Sequence, residues 1–179
     1  MSGNAARLYD KDFVRWTEQQ AAALREAAGT ATNLPLDWEN LAEEIDSLGR
    51  SQKRELRSRL DVILEHLIKL ENSPAIEPRA GWISTIGRER SNIGYLLNDS
   101  PSLKSEMASM IIEQCPKVAR RVDRELSARR EITNRLEMPA YTEEQVLGDW
   151  FPGDAPSPRL WGEGVAPSAG AEPLTRGVF

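Results

Sequence analysis

The sequence predicts an all-α fold, an irregular bundle of five or six helices followed by a disordered C-terminal tail. Three observations lead to this prediction. Apolar residues recur three and four positions apart over most of the chain, which is the spacing of one helix face. Aspartate, serine and proline stand where helices would begin, and no run of alternating apolar and polar residues indicates a β-strand. With 40% hydrophobic and 28% charged residues, the composition is that of a folded globular protein.

Length and composition narrow the organisation and the setting of the protein. We predict one helical domain over residues 8–151 and a flexible Pro/Gly-rich tail over residues 152–179. The formal net charge of −5 gives no overall electrostatic reason to bind nucleic acid or an acidic membrane surface. The single cysteine, Cys115, excludes an intrachain disulfide and a multi-cysteine zinc site. Without a signal peptide or an apolar run of about 20 residues, we expect a cytoplasmic protein with no membrane span.

The first two helices are predicted from their capping residues. The first runs from the capping carboxylates of Asp10 and Asp12 to about Gly29. Its apolar face is expected to consist of Phe13, Trp16, Leu24 and Ala27. Pro35 separates it from a second helix, which Asp37 can cap. The apolar stripe of this second helix is expected to consist of Trp38, Leu41, Ile45 and Leu48.

Gly49 leaves two alternatives open. It either ends the second helix, so that Ser51 caps a third, or it lies within one continuous bent helix. In both cases a wide apolar stripe follows that has to be buried against other helices. The stripe consists of Leu56, Leu60, Ile63, Leu64, Leu67 and Leu70. The string Asn72-Ser73-Pro74 ends this helical segment.

The second half of the chain contains residues that mark the starts and ends of further helices. A helix is predicted over about residues 82–97, and Ser100-Pro101 marks the start of the next, with proline at its first position. Pro116 lies inside that helix and predicts a kink near Gln114 or a break into two pieces. The string Thr142-Glu143-Glu144-Gln145 is a capping box and predicts one last short helix.

Six strings of the sequence carry a family resemblance. They are Tyr9-Asp10-Lys11-Asp12-Phe13 with Trp16, Leu41-Ala42-Glu43-Glu44-Ile45-Asp46-Ser47-Leu48-Gly49-Arg50-Ser51, Glu55-Leu56 to His66-Leu67, Trp82 with Ile86 and Arg90, Asp99-Ser100-Pro101-Ser102-Leu103, and Tyr141-Thr142 with Gln145. In these strings the chain resembles the bacterial domain-of-unknown-function family twenty-nine over roughly residues 8–151. The resemblance implies an all-α fold. It implies no activity, so no functional residue can be carried over from it.

Glu44, His66 and Arg90 are the candidate site residues. Carboxylates and imidazoles on facing helices can hold a metal ion inside a bundle, so Glu44 and His66 are candidate metal ligands and, with Arg90, candidate catalytic residues. A di-iron site is not expected, because it needs Glu-x-x-His pairs on two helices and the chain has one histidine. We favour structural roles: His66 partly buried and bonded to a carboxylate, and Glu44 paired with an arginine that fixes helix register. The candidate partners of Glu44 are Arg54, Arg57, Arg59, Arg88 and Arg90.

Other chemistry finds little support in the sequence. There is no Gly-x-Ser-x-Gly elbow and no glycine-rich phosphate loop, and Cys115 directly precedes a proline inside a predicted helix. Two basic clusters could track phosphates if they shared one face. They consist of Arg50, Lys53, Arg54, Arg57 and Arg59, and of Arg120, Arg121, Arg124, Arg129, Arg130 and Arg135. We do not favour nucleic-acid binding, because charges spaced around a helix normally solvate its outer face.

The functional hypothesis follows from this elimination. We favour a non-enzymatic cytoplasmic interaction or regulatory module whose partner is a protein, with no cofactor. The alternative is a metal-assisted or small-ligand enzyme with a site near Glu44 and His66, which requires those side chains to converge in one cleft. Nucleic-acid binding through the arginine-rich helices is the third hypothesis. The sequence leaves the oligomeric state open.

Overall fold

The computed structural model of the protein describes residues 2–30 and 34–153, and these residues form six α-helices, one 3₁₀ helix and no β-strand. The helices are α1 (Ser2–Lys11), α2 (Phe13–Gly29), α3 (Trp38–Asn72), α4 (Arg79–Asp99), the 3₁₀ helix (Pro101–Glu106), α5 (Met107–Ala128) and α6 (Glu143–Leu147). The predicted all-α bundle is confirmed. From residue 154 onward, the predicted tail lies outside the described residues. None of the described helices combines the length and the apolarity that a bilayer crossing requires.

α2 begins and ends where the sequence predicts, but its buried face is different. Asp12 is the N-cap, and its carboxylate accepts a hydrogen bond from the Arg15 N–H at 3.0 Å. A separate helix, α1, precedes this cap and was not predicted. The fully buried residues of α2 are Val14, Thr17 and Ala21, whereas the predicted face of Phe13, Trp16, Leu24 and Ala27 is only partly buried.

α3 is one helix of 35 residues that continues through Gly49. It starts at the predicted cap, Asp37, and ends at Asn72 as predicted. The prediction that Ser51 caps a separate helix is wrong, and the continuous-helix alternative is confirmed. Gly49 is buried against α2, where an added Cβ would overlap the side chain of Thr17. The glycine is therefore required for the close approach of α2 and α3.

The register of the first half of α3 corrects the predicted stripe by one position. Ala42 and Gly49 are buried, whereas Leu41 is 41% exposed and Leu48 is 46% exposed. Small residues form the contact because the two helices approach too closely for leucine to fit between them. The larger side chains Leu41 and Leu48 are thereby left at the surface.

The second half of α3 forms the centre of the core, as its stripe predicts. It packs against α4 and α5, and all six leucine and isoleucine residues of the predicted stripe are buried. The residues packed around them include Ile86, Ile93, Leu103, Met107, Ile111, Val118, Val122 and Leu126. α5 is continuous through Pro116, so a break into two pieces is wrong. Proline removes the hydrogen bond to the carbonyl of Ile112, and because Ile112 is 73% exposed, water can replace the missing donor.

α5 ends in a Schellman motif, in which two backbone N–H groups beyond the helix donate to carbonyls of its last turn. The Glu131 N–H donates to the Leu126 carbonyl at 2.9 Å, and the Arg130 N–H donates to the Ser127 carbonyl at 3.0 Å. This closure places Arg130 in the left-handed region, with φ of 58°.

α6 has the predicted capping box. The Thr142 hydroxyl accepts from the Gln145 N–H at 3.2 Å, and the Gln145 side-chain oxygen accepts from the Thr142 N–H at 2.9 Å. The cap lets a helix of only five residues form at this point in the chain.

Candidate functional site

The structure separates the three residues that the enzyme hypothesis needs to bring together. Glu44 and His66 lie on the same helix, α3, 22 residues apart. At the rise of an α-helix this separation is about 33 Å along its axis. Arg90 lies on α4 and binds elsewhere, as described below. A single cleft that contains both Glu44 and His66 is therefore not formed.

Glu44 is exposed, and the expected arginine pair is wrong for this residue. Among the described residues, no basic side chain lies within 4 Å of its carboxylate. The physical reason is the shift in register: Leu41 and Leu48, which were expected to bury this edge of the helix, are themselves exposed. Glu44 thus borders an apolar surface that faces solvent.

A buried carboxylate pair of the predicted kind does exist, but it is formed by Glu89. This residue is 8% exposed, and Arg59 donates a hydrogen bond to it at 2.7 Å, which ties α3 to α4. Burial alone would raise the pKa of Glu89. Hydrogen bonds from Asn92, Arg88 and Arg59 outweigh burial and hold its pKa below the usual value.

His66 is partly buried and bonds to its own helix rather than to a carboxylate. Its Nδ1 lies 2.9 Å from the carbonyl oxygen of Val62. Because a carbonyl only accepts, the proton in this contact is on Nδ1. Among the residues that the structure describes, no group of three or more His, Cys, Asp or Glu side chains is placed to hold a metal ion.

Arg90 anchors the end of the domain. Its guanidinium donates to the carbonyls of Val146 at 2.9 Å, Gln145 at 2.9 Å and Trp150 at 2.8 Å, and it lies 4.8 Å from the centroid of the Phe151 ring. Burial lowers the pKa of Arg90, with the nearby Asp149 acting in the opposite direction. The arrangement fixes residues 145–151 on α4. Three hydrogen bonds of the guanidinium are used in this way and do not serve to bind a substrate.

The other reactive side chains are also engaged internally. Burial raises the pKa of the Cys115 thiol to about 11, so it is protonated at neutral pH and unsuited to nucleophilic attack. Several members of the two basic clusters pair with carboxylates inside the chain. These pairs are Arg50 with Glu43 and Asp46, Lys53 with Glu18 and Glu106, Arg121 with Glu65, and Arg129 with Glu125.

A buried polar junction holds the start of α2 against the start of the 3₁₀ helix. The Asp12 carboxylate accepts from the N–H and from the hydroxyl of Ser102, both at 2.8 Å. The Ser100 hydroxyl accepts from the Val14 N–H at 3.2 Å and donates to the Gln52 side-chain oxygen at 3.1 Å. Two strings that lie about 90 residues apart in sequence, 9–13 and 99–103, thus meet in space.

An open cleft of about 300 Å³ lies beside this junction. It is lined by Tyr9, Asp10, Phe13, Gln52 and Asp99. The rings of Tyr9 and Phe13 meet edge to face at 5.7 Å between centroids, and Trp16 stacks on Phe13 at 5.8 Å. The cleft therefore combines aromatic surface with two carboxylates.

The same side of the molecule carries an extended apolar surface. α2 packs mainly against the first half of α3, and these two helices form an arm. Phe13 and Gln52 both line the cleft, so the residues at helix spacing after Phe13 on α2 and before Gln52 on α3 lie on the same side of the arm. We call this side the apolar flank; it consists of Trp16, Leu24, Ala27, Leu41, Ile45 and Leu48.

The opposite side of the arm is charged and paired. Lys53 contacts Glu18 at 3.0 Å, and Arg25 contacts Asp46 at 3.2 Å. These two ion pairs link α2 to α3 at the surface, beside the contact of small buried residues. The arm is thus amphipathic as a unit. Ion pairs lie on one side, and the apolar side chains of the flank lie on the other.

Comparison with known proteins places this architecture in a family. The family model described as "Domain of unknown function DUF29" matches residues 8–151. The chain belongs to the DUF29 family. It is also similar to a crystal structure of an α-helical protein of unknown function from Rhodospirillum rubrum, with 26% identity and a TM-score of 0.65 over 78% of this chain and 89% of the other. No protein with a curated description matches the chain.

The DUF29 strings now have structural explanations that the sequence analysis did not find. Asp12 and Ser102 build the polar junction, Gly49 permits the close helix contact, and Arg90 anchors the chain end. The residues of the cleft were missed as site candidates, although Tyr9, Asp10 and Asp99 lie in two of these strings. Their place in two of the strings that carry the family resemblance was the signal that could have found them.

Proposed function

We propose that this DUF29 chain is a non-enzymatic interaction module that binds an amphipathic helix of a protein partner along the apolar flank. The exposure of Leu41 and Leu48 carries the proposal. Their positions follow a helix-type spacing that would be expected in a core, yet the fold leaves them at the surface. Scattered exposed leucines need no explanation, but a continuous row on two adjacent helices is typical of a binding surface.

The shape of the arm suits a helical partner. Two antiparallel helices that lie side by side form a groove along their seam, and a third helix can pack into it as in a helical bundle. Helices that bind in this way present apolar residues at positions i, i+3, i+4 and i+7. The apolar flank has the matching row on α3, at Leu41, Ile45 and Leu48.

The charge around the flank supports a basic partner. Glu44 is exposed beside Leu48, Asp37 is exposed at the start of α3, and among the described residues no basic side chain lies within 4 Å of either carboxylate. Lysine or arginine at the polar border of the partner helix would meet these carboxylates and orient the complex.

The two other hypotheses receive less support from the geometry. The enzyme hypothesis required Glu44 and His66 in one cleft, and about 33 Å of helix separates them. Nucleic-acid binding required free basic side chains on one face, and several members of both basic clusters are in ion pairs with carboxylates of the chain. Both hypotheses stay predictions.

Site-specific photocrosslinking in the cells that naturally produce the protein tests the proposal. A photoreactive residue replaces Leu48, and a matched control replaces Ile112, an exposed apolar residue on α5 outside the arm. We expect a discrete adduct at position 48 whose crosslinked peptide, sequenced by mass spectrometry, has apolar residues at helix spacing together with lysine or arginine. Leu41→Ser should abolish it.

Three outcomes would contradict the proposal. The first is the absence of an adduct at position 48, and the second is the same adduct at positions 48 and 112. The third is an adduct between two copies of this chain, which would make the flank a homodimer interface; sedimentation velocity of the purified protein provides the independent check of that state.

A further inference from the structure

The cleft at the end of the apolar flank has the dimensions of a side-chain pocket. Its volume of about 300 Å³ lies at the lower limit of small-molecule sites, which range from about 300 to 1,000 Å³. It opens where Phe13 and Gln52 meet, next to Trp16, which is also the first residue of the flank. A helix lying on the flank could therefore insert one side chain into it.

The carboxylates of the cleft are exposed to solvent and are not neutralised by the chain. Asp10 and Asp99 both line it, and among the described residues neither carboxylate has a lysine, arginine or histidine nitrogen within 4 Å. Asp12, which lies close in sequence, differs because its oxygens accept three hydrogen bonds within the fold. Two carboxylates that share one cleft without a counter-charge attract a cation.

The aromatic rings favour an organic cation. Tyr9, Phe13 and Trp16 contact one another at centroid distances of 4.8 to 5.8 Å and form one aromatic cluster at the cleft. A guanidinium or ammonium group over such a ring gains a cation–π interaction. The same chain already uses this contact, since the Arg90 guanidinium lies 4.8 Å from the Phe151 centroid.

The lining disfavours the other classes of ligand. Ca²⁺ and Mg²⁺ take six or more oxygen ligands, and the ring carbons that line part of the cleft supply none. An anion would be repelled by Asp10 and Asp99, and a neutral apolar group would gain nothing from their charge. Aromatic rings beside carboxylates without a counter-charge are together the chemistry that recognises an arginine or lysine side chain.

We infer that the cleft lined by Tyr9, Asp10, Phe13, Gln52 and Asp99 is a binding site for one arginine or lysine side chain of the partner helix. This inference deepens the proposed function and rests on it for the identity of the partner. The carboxylates pair with the cationic head, while the rings cover its planar face and the adjoining methylene groups. The cleft sets the position of the partner along the arm, and the apolar flank supplies the contact area.

The site can be tested without the partner. The full chain is titrated with Nα-acetyl-arginine methylamide, and the binding is followed by NMR at the Trp16 indole N–H and the Gln52 side-chain amide. The corresponding citrulline derivative is the neutral probe of the same shape. We expect saturable shifts with arginine only, and a Kd raised about fivefold or more by Asp10→Asn with Asp99→Asn.

A matched variant controls for the change in net charge. Glu26→Gln with Glu77→Gln removes two exposed carboxylates outside the cleft and should leave the Kd for arginine unchanged. Phe13→Leu tests the aromatic contribution separately and should weaken arginine binding about threefold. If the aspartate variant loses its helical circular dichroism, the Phe13→Leu result decides whether arginine binds in the cleft. Equal shifts with arginine and citrulline, or a Kd insensitive to both cleft variants, would overturn the inference.

The failure of this inference can be distinguished from failure of the proposed function. Leu41→Ser with Leu48→Ser should leave arginine binding intact, because neither leucine lines the cleft. Arginine binding without a crosslink at position 48 would contradict only the flank as a docking surface. A crosslink at position 48 without arginine binding would contradict only the cleft.

Discussion

Replacing Gly49 by alanine tests the contact on which the arm depends. The added Cβ would overlap Thr17 Oγ1 and would lie 3.4 Å from Thr17 Cβ. The Thr17 hydroxyl is fully buried and donates to the Val14 carbonyl at 2.7 Å, so it can move away only by losing that bond. The substitution therefore forces either α2 away from α3 or the hydroxyl away from its partner.

The expected magnitude follows from three contributions. Overpacking a buried contact costs about 1–3 kcal/mol, and loss of the Thr17 hydrogen bond costs about 1 kcal/mol. Alanine is better than glycine inside a helix by about 1 kcal/mol, which offsets part of the loss. The free energy of unfolding should fall by about 1–3 kcal/mol, and the Tm by about 3–10 °C.

Urea denaturation followed by circular dichroism measures the effect, with two comparisons. Gly87→Ala is the matched control, because Gly87 lies inside α4 with nothing within 4 Å of its added Cβ, and it should raise stability by about 1 kcal/mol. Thr17→Ala removes the overlapping atom, so the double variant should be more stable than the sum of the single changes predicts. Equal stabilisation by Gly49→Ala and Gly87→Ala, or strict additivity with Thr17→Ala, would refute the close-contact explanation.

Three further predictions concern other parts of the fold. Arg90→Met should lower the free energy of unfolding by about 2–3 kcal/mol in urea denaturation, because three backbone carbonyls lose their donor, whereas Arg120→Met on the surface should have little effect. Arg130→Gly should raise the Tm and stabilise by about 0.5–1 kcal/mol, since glycine adopts the left-handed conformation without strain; Arg129→Gly, in a right-handed conformation, should destabilise. The folded state holds the pKa of Glu89 below its unfolded value, so its contribution is complete above that value and is lost as the pH falls through the lowered pKa. Urea midpoints should therefore decrease below about pH 5, and Glu89→Gln should reduce this decrease; an identical pH profile for the variant would contradict the assignment.

The contrast between the two halves of α3 shows which predictions the sequence could support. In the second half, large apolar residues recur over four turns, and their burial against other helices was predicted correctly; the structure shows that these helices are α4 and α5. In the first half, the same reasoning selected Leu41 and Leu48, because it assumes that the largest apolar residues face the partner helix. The structure reverses this, since Gly49 and Ala42 allow an approach that only small residues can make.

The prediction of the site residues failed for the same reason. Glu44 was expected to be paired because its neighbours were expected to be buried, and it is exposed because they are not. Glu89 and Arg59 form the buried pair instead, and nothing in the local sequence distinguishes Glu89 from the other glutamates. The cleft joins residues 9–13 to residue 99, a contact that depends on how α2 meets the 3₁₀ helix.

By itself the sequence determined the all-α class, the caps at Asp12, Asp37 and Thr142, and the ends of most helices. These features depend on hydrogen bonds and spacings within a few residues, which local sequence specifies directly. Only the tertiary structure decided that α3 continues through Gly49, that Leu41 and Leu48 face solvent, and that an aromatic and acidic cleft forms. Those outcomes depend on the distance and rotation between helices, which the packing of the whole domain sets.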